Sequence, residues 1–243
     1  MGGAKARLIL CATLCFALGA LLATPAAAQR CRQALVLGMD VSLSVNTIDF
    51  ALQRGGLAAA LLDPEVMQAF LSDPSDPVYL AVFEWSGRYD QALLMDWTPV
   101  TRPETLGQIA ETLLEAPQMG RTGRTAIGAA LRYGSDLLMT RKGCRTLTLD
   151  LSGDGPNNNG DAPEHVRSEL QAQGITVNGL VIETPVAQSG EAESAPFSLR
   201  GYYESRVLVG AASFVETAAG FQNFEAAMKR KLLRELIPAV ASR

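Results

Sequence analysis

Five residues in three separate stretches could share one piece of chemistry. Asp40-Val-Ser42-Leu-Ser44 puts a carboxylate and two hydroxyls at alternate positions. Thr125 follows a glycine-bearing stretch, Gly120-Arg-Thr-Gly-Arg124, and Asp154 stands in Ser152-Gly-Asp-Gly155. Two carboxylates and three hydroxyls form a hard, all-oxygen donor set, which suits Mg²⁺, Mn²⁺ or Ca²⁺ and disfavours zinc or copper. Serine and threonine are neutral ligands, so such a site leaves much of the cation's charge uncompensated. An open coordination position could then accept a carboxylate from outside. No nucleophile–base pair accompanies these residues, and the single histidine, His165, falls in a polar helical stretch and is expected at the surface. Binding therefore fits better than turnover. Two other readings stay open: metal-assisted hydrolysis, and a cation that only stabilises the fold. Plainer roles exist too, since Asp40, Ser42 and Ser44 could cap a helix and Asp154 could sit in a simple turn.

For the three stretches to meet, the elements before them must run side by side. Ala34–Met39 is an apolar run ending in Asp40, and Arg145–Leu151 is another ending just before Asp154. Both read as buried strands. Val78–Trp85 and Tyr89–Trp97 read as a strand pair joined at Ser86-Gly87, and Ile175–Ile182 as a further strand. Arg206–Val209 is expected as a short last strand. Helices are expected after Asn46, a capping residue with Asp49 in the first turn. Others are expected over Thr101–Glu115, after Thr125 with Ile127, Leu131 and Leu138 on one side, over Pro163–Gln173, and at the end, where Phe221, Phe224, Met228 and Leu232 form a stripe. Gly55-Gly56 inside the first helix is unfavourable unless packing holds it. Residues 184–200 read as a mobile loop. Strands alternating with helices imply an α/β fold, doubly wound, with a mostly parallel central sheet and helices on both faces. In such a sheet ligands bind beyond the carboxyl ends of the strands, where all three stretches can converge. Glu84 ends a strand near that place. Asp150 is expected as a structural carboxylate and Trp85 and Trp97 as packing residues. Asn157 and Asn158 are expected as rim residues at most, and Tyr202-Tyr203 as core or rim.

The chain has 243 residues, 48% of them hydrophobic and 19% charged, which excludes disorder and allows a sizeable core. The net charge of −4 offers no basic footprint for nucleic acid. Lys5 and Arg7, the apolar run Leu8–Leu22 and the small residues up to Ala28 have the layout of a signal peptide, with cleavage expected after Ala28. Retention as a membrane anchor is the rival reading, disfavoured by Pro25 and the small-residue site. Residues 29–243 then form a single exported domain, with no stable membrane insertion. Cleavage removes Cys11 and Cys15 and leaves Cys31 and Cys144, and two cysteines in an oxidising compartment invite a disulfide.

Asp-x-Ser-x-Ser, a distant Thr after a glycine loop and a later Asp-Gly resemble the metal-ion-dependent adhesion site (MIDAS) of von Willebrand factor type A domains. The strand–helix order is similar to that fold over residues 32–240. The chain resembles more closely a bacterial family of secreted single-domain proteins of this type, of unknown function. Asp40-Val-Ser-Leu-Ser44, Glu84-Trp-Ser86, Gly123-Arg-Thr-Ala-Ile-Gly128, Ser152-Gly-Asp-Gly-Pro-Asn-Asn158, Ile175-Thr-Val-Asn-Gly179 and Tyr202-Tyr203 look like that family's signatures. Arg124 departs from it, since a glycine usually precedes the threonine. The resemblance implies that Ser42, Ser44 and Thr125 touch the metal, and that Asp40 and Asp154 bind directly or through water. It implies a partner protein presenting a carboxylate, and a periplasmic or secreted location. It also implies that the strands ending in the two aspartates are parallel neighbours, which places Cys31 and Cys144 together at the opposite edge and predicts a Cys31–Cys144 bridge.

Overall fold

Apolar residues fill most of the central strands because both faces of the sheet are covered. The structure, a computed structural model, describes residues 30–117, 123–183 and 198–236. The expected signal peptide, part of the glycine-bearing stretch before Gly123, and most of the expected loop at 184–200 lie outside the described residues.

Six strands form one sheet: β1 (Gln33–Asp40), β2 (Val78–Trp85), β3 (Gln91–Val100), β4 (Thr146–Gly153), β5 (Ile175–Ile182) and β6 (Val215–Ala218), in the order β3-β2-β1-β4-β5-β6. Only β3 runs antiparallel, closing the expected hairpin with β2. β1 lies between β2 and β4, with Asp40 opposite Trp85 and Met39 opposite Ser152. The carboxyl ends of these strands therefore finish together.

Helices α1 (Thr47–Leu62), α2 (Pro64–Phe70), α3 (Pro103–Glu115) and α7 (Phe224–Leu236) pack on one face, over Leu35, Leu37 and Met39 of β1. Helices α4 (Ile127–Met139), α5 (Pro163–Ala172) and α6 (Leu199–Arg206) cover the other, over Ala34 and Val36. The alternation of β1 between the two cores is the period of a strand buried on both sides. A Cβ at Gly56 would lie 3.0 Å from the backbone nitrogen of Glu225, so the glycine lets α1 and α7 approach closely.

The expectation for the segment up to Val209 is corrected. Residues 199–206 are helical, and of the strand expected at Arg206–Val209 only an isolated antiparallel bridge, Val209 to Val177, is present. The last strand is Val215–Ala218 instead. The chain between Leu62 and Phe70 starts a new helix, because the Asp63 side chain accepts a hydrogen bond from Glu65 N and Pro64 occupies the first turn.

Cys31 and Cys144 are disulfide-bonded with Cα atoms 4.6 Å apart, across 113 residues of sequence. The bridge joins the entries of β1 and β4, at the end of the sheet away from Asp40 and Asp154. In the chain-entropy account a loop of that length contributes about 4–5 kcal/mol.

Candidate functional site

Asp40 is the last residue of β1 and Asp154 the first after β4. Both are buried, and a hydrogen-bonded chain joins them. Asp40 Oδ1 accepts from Ser42 N at 2.8 Å, Ser42 Oγ and Ser44 Oγ are 3.0 Å apart, and Ser44 Oγ donates to Asp154 Oδ1 at 2.7 Å. The Asp40–Val41 peptide that leads into the turn presenting the serines is held through both its carbonyl and its N–H. Val41 N donates to Trp85 O at 2.9 Å, and Gln53 Nε2 of α1 donates to Asp40 O at 3.1 Å. Asn46 then caps α1 by accepting from Ile48 N and Asp49 N, so capping falls to Asn46 and leaves Asp40, Ser42 and Ser44 otherwise engaged.

Thr125 is buried at the same end of the sheet and is held through its backbone. Its N–H donates to Asn158 Oδ1 at 2.8 Å and its carbonyl accepts from Asn158 N at 2.9 Å. Ala126 N donates to Ser86 O at 2.8 Å, which ties the same segment to the end of β2. Gly123 reaches its position with φ +86°, where a Cβ would strike Leu43 Cδ1 at 2.5 Å. Only glycine fits that turn without strain. Arg124, beside it, is exposed.

The electrostatics are those of two like charges taken out of water. Burial pushes the Asp40 carboxyl up to about 8, and the neighbouring Asp154 adds to the rise. Burial also raises Asp154, against the lowering effect of the Ser44 hydrogen bond, and Asp49 at the start of α1 raises it further. Among the described residues neither carboxylate has an ion pair. A cation of oxygen-ligand type fits this donor set, because it would relieve both the desolvation and the mutual repulsion.

Several residues around the site escaped the sequence reading. Asn157, Asn158 and Asn159 look like a turn but work as stitches. Asn157 N donates to Tyr202 Oη at 3.2 Å, Asn158 holds Thr125, and Asn159 Oδ1 accepts from Arg88 N at 2.9 Å. The run of three asparagines was the available signal. Tyr203 is a core residue under the site, whereas Tyr202 is half-buried at its edge. Glu84 faces the opposite side of the sheet and takes Arg54 of α1, 2.7 Å away, which also donates to the carbonyls of Leu113 in α3 and of Pro117 just beyond it. Asp150 lies 2.9 Å from Lys231 Nζ of α7 in a fully buried cluster with Glu235, a structural role. His165 is exposed and Trp85 is fully buried, as expected; Trp97 is half-buried and donates to Thr140 Oγ1.

The fold is that of von Willebrand factor type A domains. Proximal thread matrix protein 1 from the mussel byssus is similar at 16% identity and a TM-score of 0.59, over 85% of this chain and 46% of its own, and one of its structures has a zinc-occupied MIDAS motif. The pilus adhesin SpaC of Lactobacillus rhamnosus GG is similar at 15% identity and a TM-score of 0.60, over 85% and 30%. A von Willebrand factor type A protein from Catenulispora acidiphila is similar at 14% identity and a TM-score of 0.54, over 85% and 43%. The chain thus spans less than half the length of these structures. No curated protein matches it in sequence. Residues 30–240 match the family described as protein of unknown function DUF1194, and the chain belongs to that family.

Proposed function

We propose that this protein is an exported, metal-ion-dependent protein-binding module of the adhesion type. Asp40, Ser42, Ser44, Thr125 and Asp154 would hold a divalent cation, Mg²⁺, Mn²⁺ or Ca²⁺, at the carboxyl ends of β1 and β4. When bound, the cation supplies an uncompensated positive charge that can take a carboxylate of a partner protein. One observation carries the reading: two buried carboxylates without an ion pair among the described residues are linked through Ser42, by its backbone N–H and hydroxyl, and the Ser44 hydroxyl. The chain's own residues do the rest. Ser42 N and Ser44 Oγ orient the carboxylates, Asn158 fixes Thr125, and exposed Leu43, at 65% accessibility, stands on the rim where a partner would dock. The absence of a nucleophile–base pair among the described residues at the site favours binding over hydrolysis. The disulfide supports an oxidising compartment, and among the described residues no helix is long and apolar enough to cross a membrane. Location in the periplasm or outside the cell belongs to the same proposal.

The test is a pull-down from bacterial envelope extract with the immobilised protein, in Mg²⁺ and in chelator, beside Asp40→Ala. A partner retained only by the wild type with Mg²⁺ is the expected result. Retention that ignores both chelator and substitution would refute the metal-dependent reading.

A further inference from the structure

We propose that Tyr203 is a positioning residue for this site: its buried hydroxyl, unpaired in this structure beside the equally unpaired Asp40 Oδ2, donates to that oxygen once a cation engages the carboxylate. The inference rests on the metal-site reading above. Asp40 Oδ1 is engaged by Ser42 N, but Oδ2 is buried and accepts no hydrogen bond among the described residues. The hydroxyl of Tyr203 is equally buried and equally unpaired. The two oxygens flank the same point. A Cβ built on Gly153 would lie 2.5 Å from Tyr203 Oη and 3.2 Å from Asp40 Oδ2. The space left by the missing side chain at 153 is therefore bordered by both oxygens.

The seat for the ring is cut by a second glycine. A Cβ at Gly179 on the adjoining strand β5 would meet Tyr203 Cδ1 at 2.7 Å. Trp85 closes the third side, its Cζ2 3.5 Å from the same point over Gly153. A purely structural aromatic in this slot would be better as phenylalanine, because a buried hydroxyl left unmade is destabilising. The hydroxyl needs an acceptor, and Asp40 Oδ2 is an unengaged acceptor bordering the same space. Partners behind a metal ligand set its orientation, and losing one typically weakens metal affinity 10–100-fold.

The experiment is a calorimetric titration of Mg²⁺ into the disulfide-bonded protein, wild type against Tyr203→Phe. Near-UV tyrosine difference spectra and chelator-state thermal unfolding accompany it. We expect Mg²⁺ affinity to fall about 10–100-fold in Tyr203→Phe, and the Mg²⁺-induced tyrosine difference signal to vanish. That signal should survive in Tyr202→Phe. Gly153→Ala, whose methyl crowds both oxygens and deletes neither, should also weaken Mg²⁺ binding. Unchanged Mg²⁺ affinity in Tyr203→Phe overturns the inference and leaves the metal site standing, whether or not the fold is weakened. A wild type that takes up none of Mg²⁺, Mn²⁺ or Ca²⁺ overturns the site reading itself.

Discussion

Without a cation, the carboxyl of Asp40 should make the fold weaken as pH rises, and Asp40→Asn should remove that slope. Asp40 titrates from its ordinary 3.8 in the unfolded chain to about 8 in the folded one. The folded state holds its proton more tightly, so the associated stability is fully present below pH 3.8 and is lost as pH rises towards 8. Within that window one extra proton is bound by the folded state, and stability falls by about 1.4 kcal/mol per pH unit. From pH 5 to pH 7 the loss is about 3 kcal/mol, a large part of an ordinary domain's margin. Asp154, raised in the same direction, adds to the slope in both proteins. The assay is urea unfolding of the oxidised protein in chelator at pH 5, 6 and 7, for wild type and Asp40→Asn. The wild type should lose about 3 kcal/mol more than the variant over that range, and saturating Mg²⁺ should restore the wild type alone. Parallel pH profiles would refute the claim that burial and Asp154 hold Asp40 protonated.

Three further outcomes follow from other contacts. Asn158→Ala strips the partner from the N–H of buried Thr125, so it should cost about 1–3 kcal/mol in urea unfolding and weaken Mg²⁺ binding in calorimetry. Cys31→Ser with Cys144→Ser should lower stability by about 2–5 kcal/mol yet leave Mg²⁺ affinity within a few-fold, because the bridge lies at the other end of β1 and β4. Glu84→Ala leaves Arg54 buried without its carboxylate and should cost about 3–5 kcal/mol in denaturant melts.

The sheet was legible because its strands carry strong local signals. The apolar runs ending in Asp40 and just before Asp154 mark strands buried on both faces, and their placement as parallel neighbours, which the resemblance implied, brings the carboxyl ends together. Asn46 was legible as a cap because its chemistry is local. What the sequence hid depends on distant neighbours. Ser198-Leu-Arg-Gly-Tyr-Tyr-Glu-Ser-Arg206 is polar along most of its length, so a helix anchored by Leu199 and Tyr203 alone gave little periodicity. Val207-Leu208-Val209 looks like a strand because it is apolar, yet its burial comes from packing against the α4–α6 side of the sheet. Val215-Glu-Thr-Ala218 is too short to stand out as a strand. The asparagine stitches and the seat of Tyr203 require partners more than 20 residues away, which no single-stretch pattern reveals.

The most direct measurement is calorimetric titration of Mg²⁺, Mn²⁺ and Ca²⁺ into chelator-treated, disulfide-bonded protein, with Asp40→Ala alongside. One saturable site for at least one of these cations in the wild type, and no binding in the variant, is the result expected of the proposed metal site. Absence of binding by all three, or binding that survives Asp40→Ala unchanged, would contradict it.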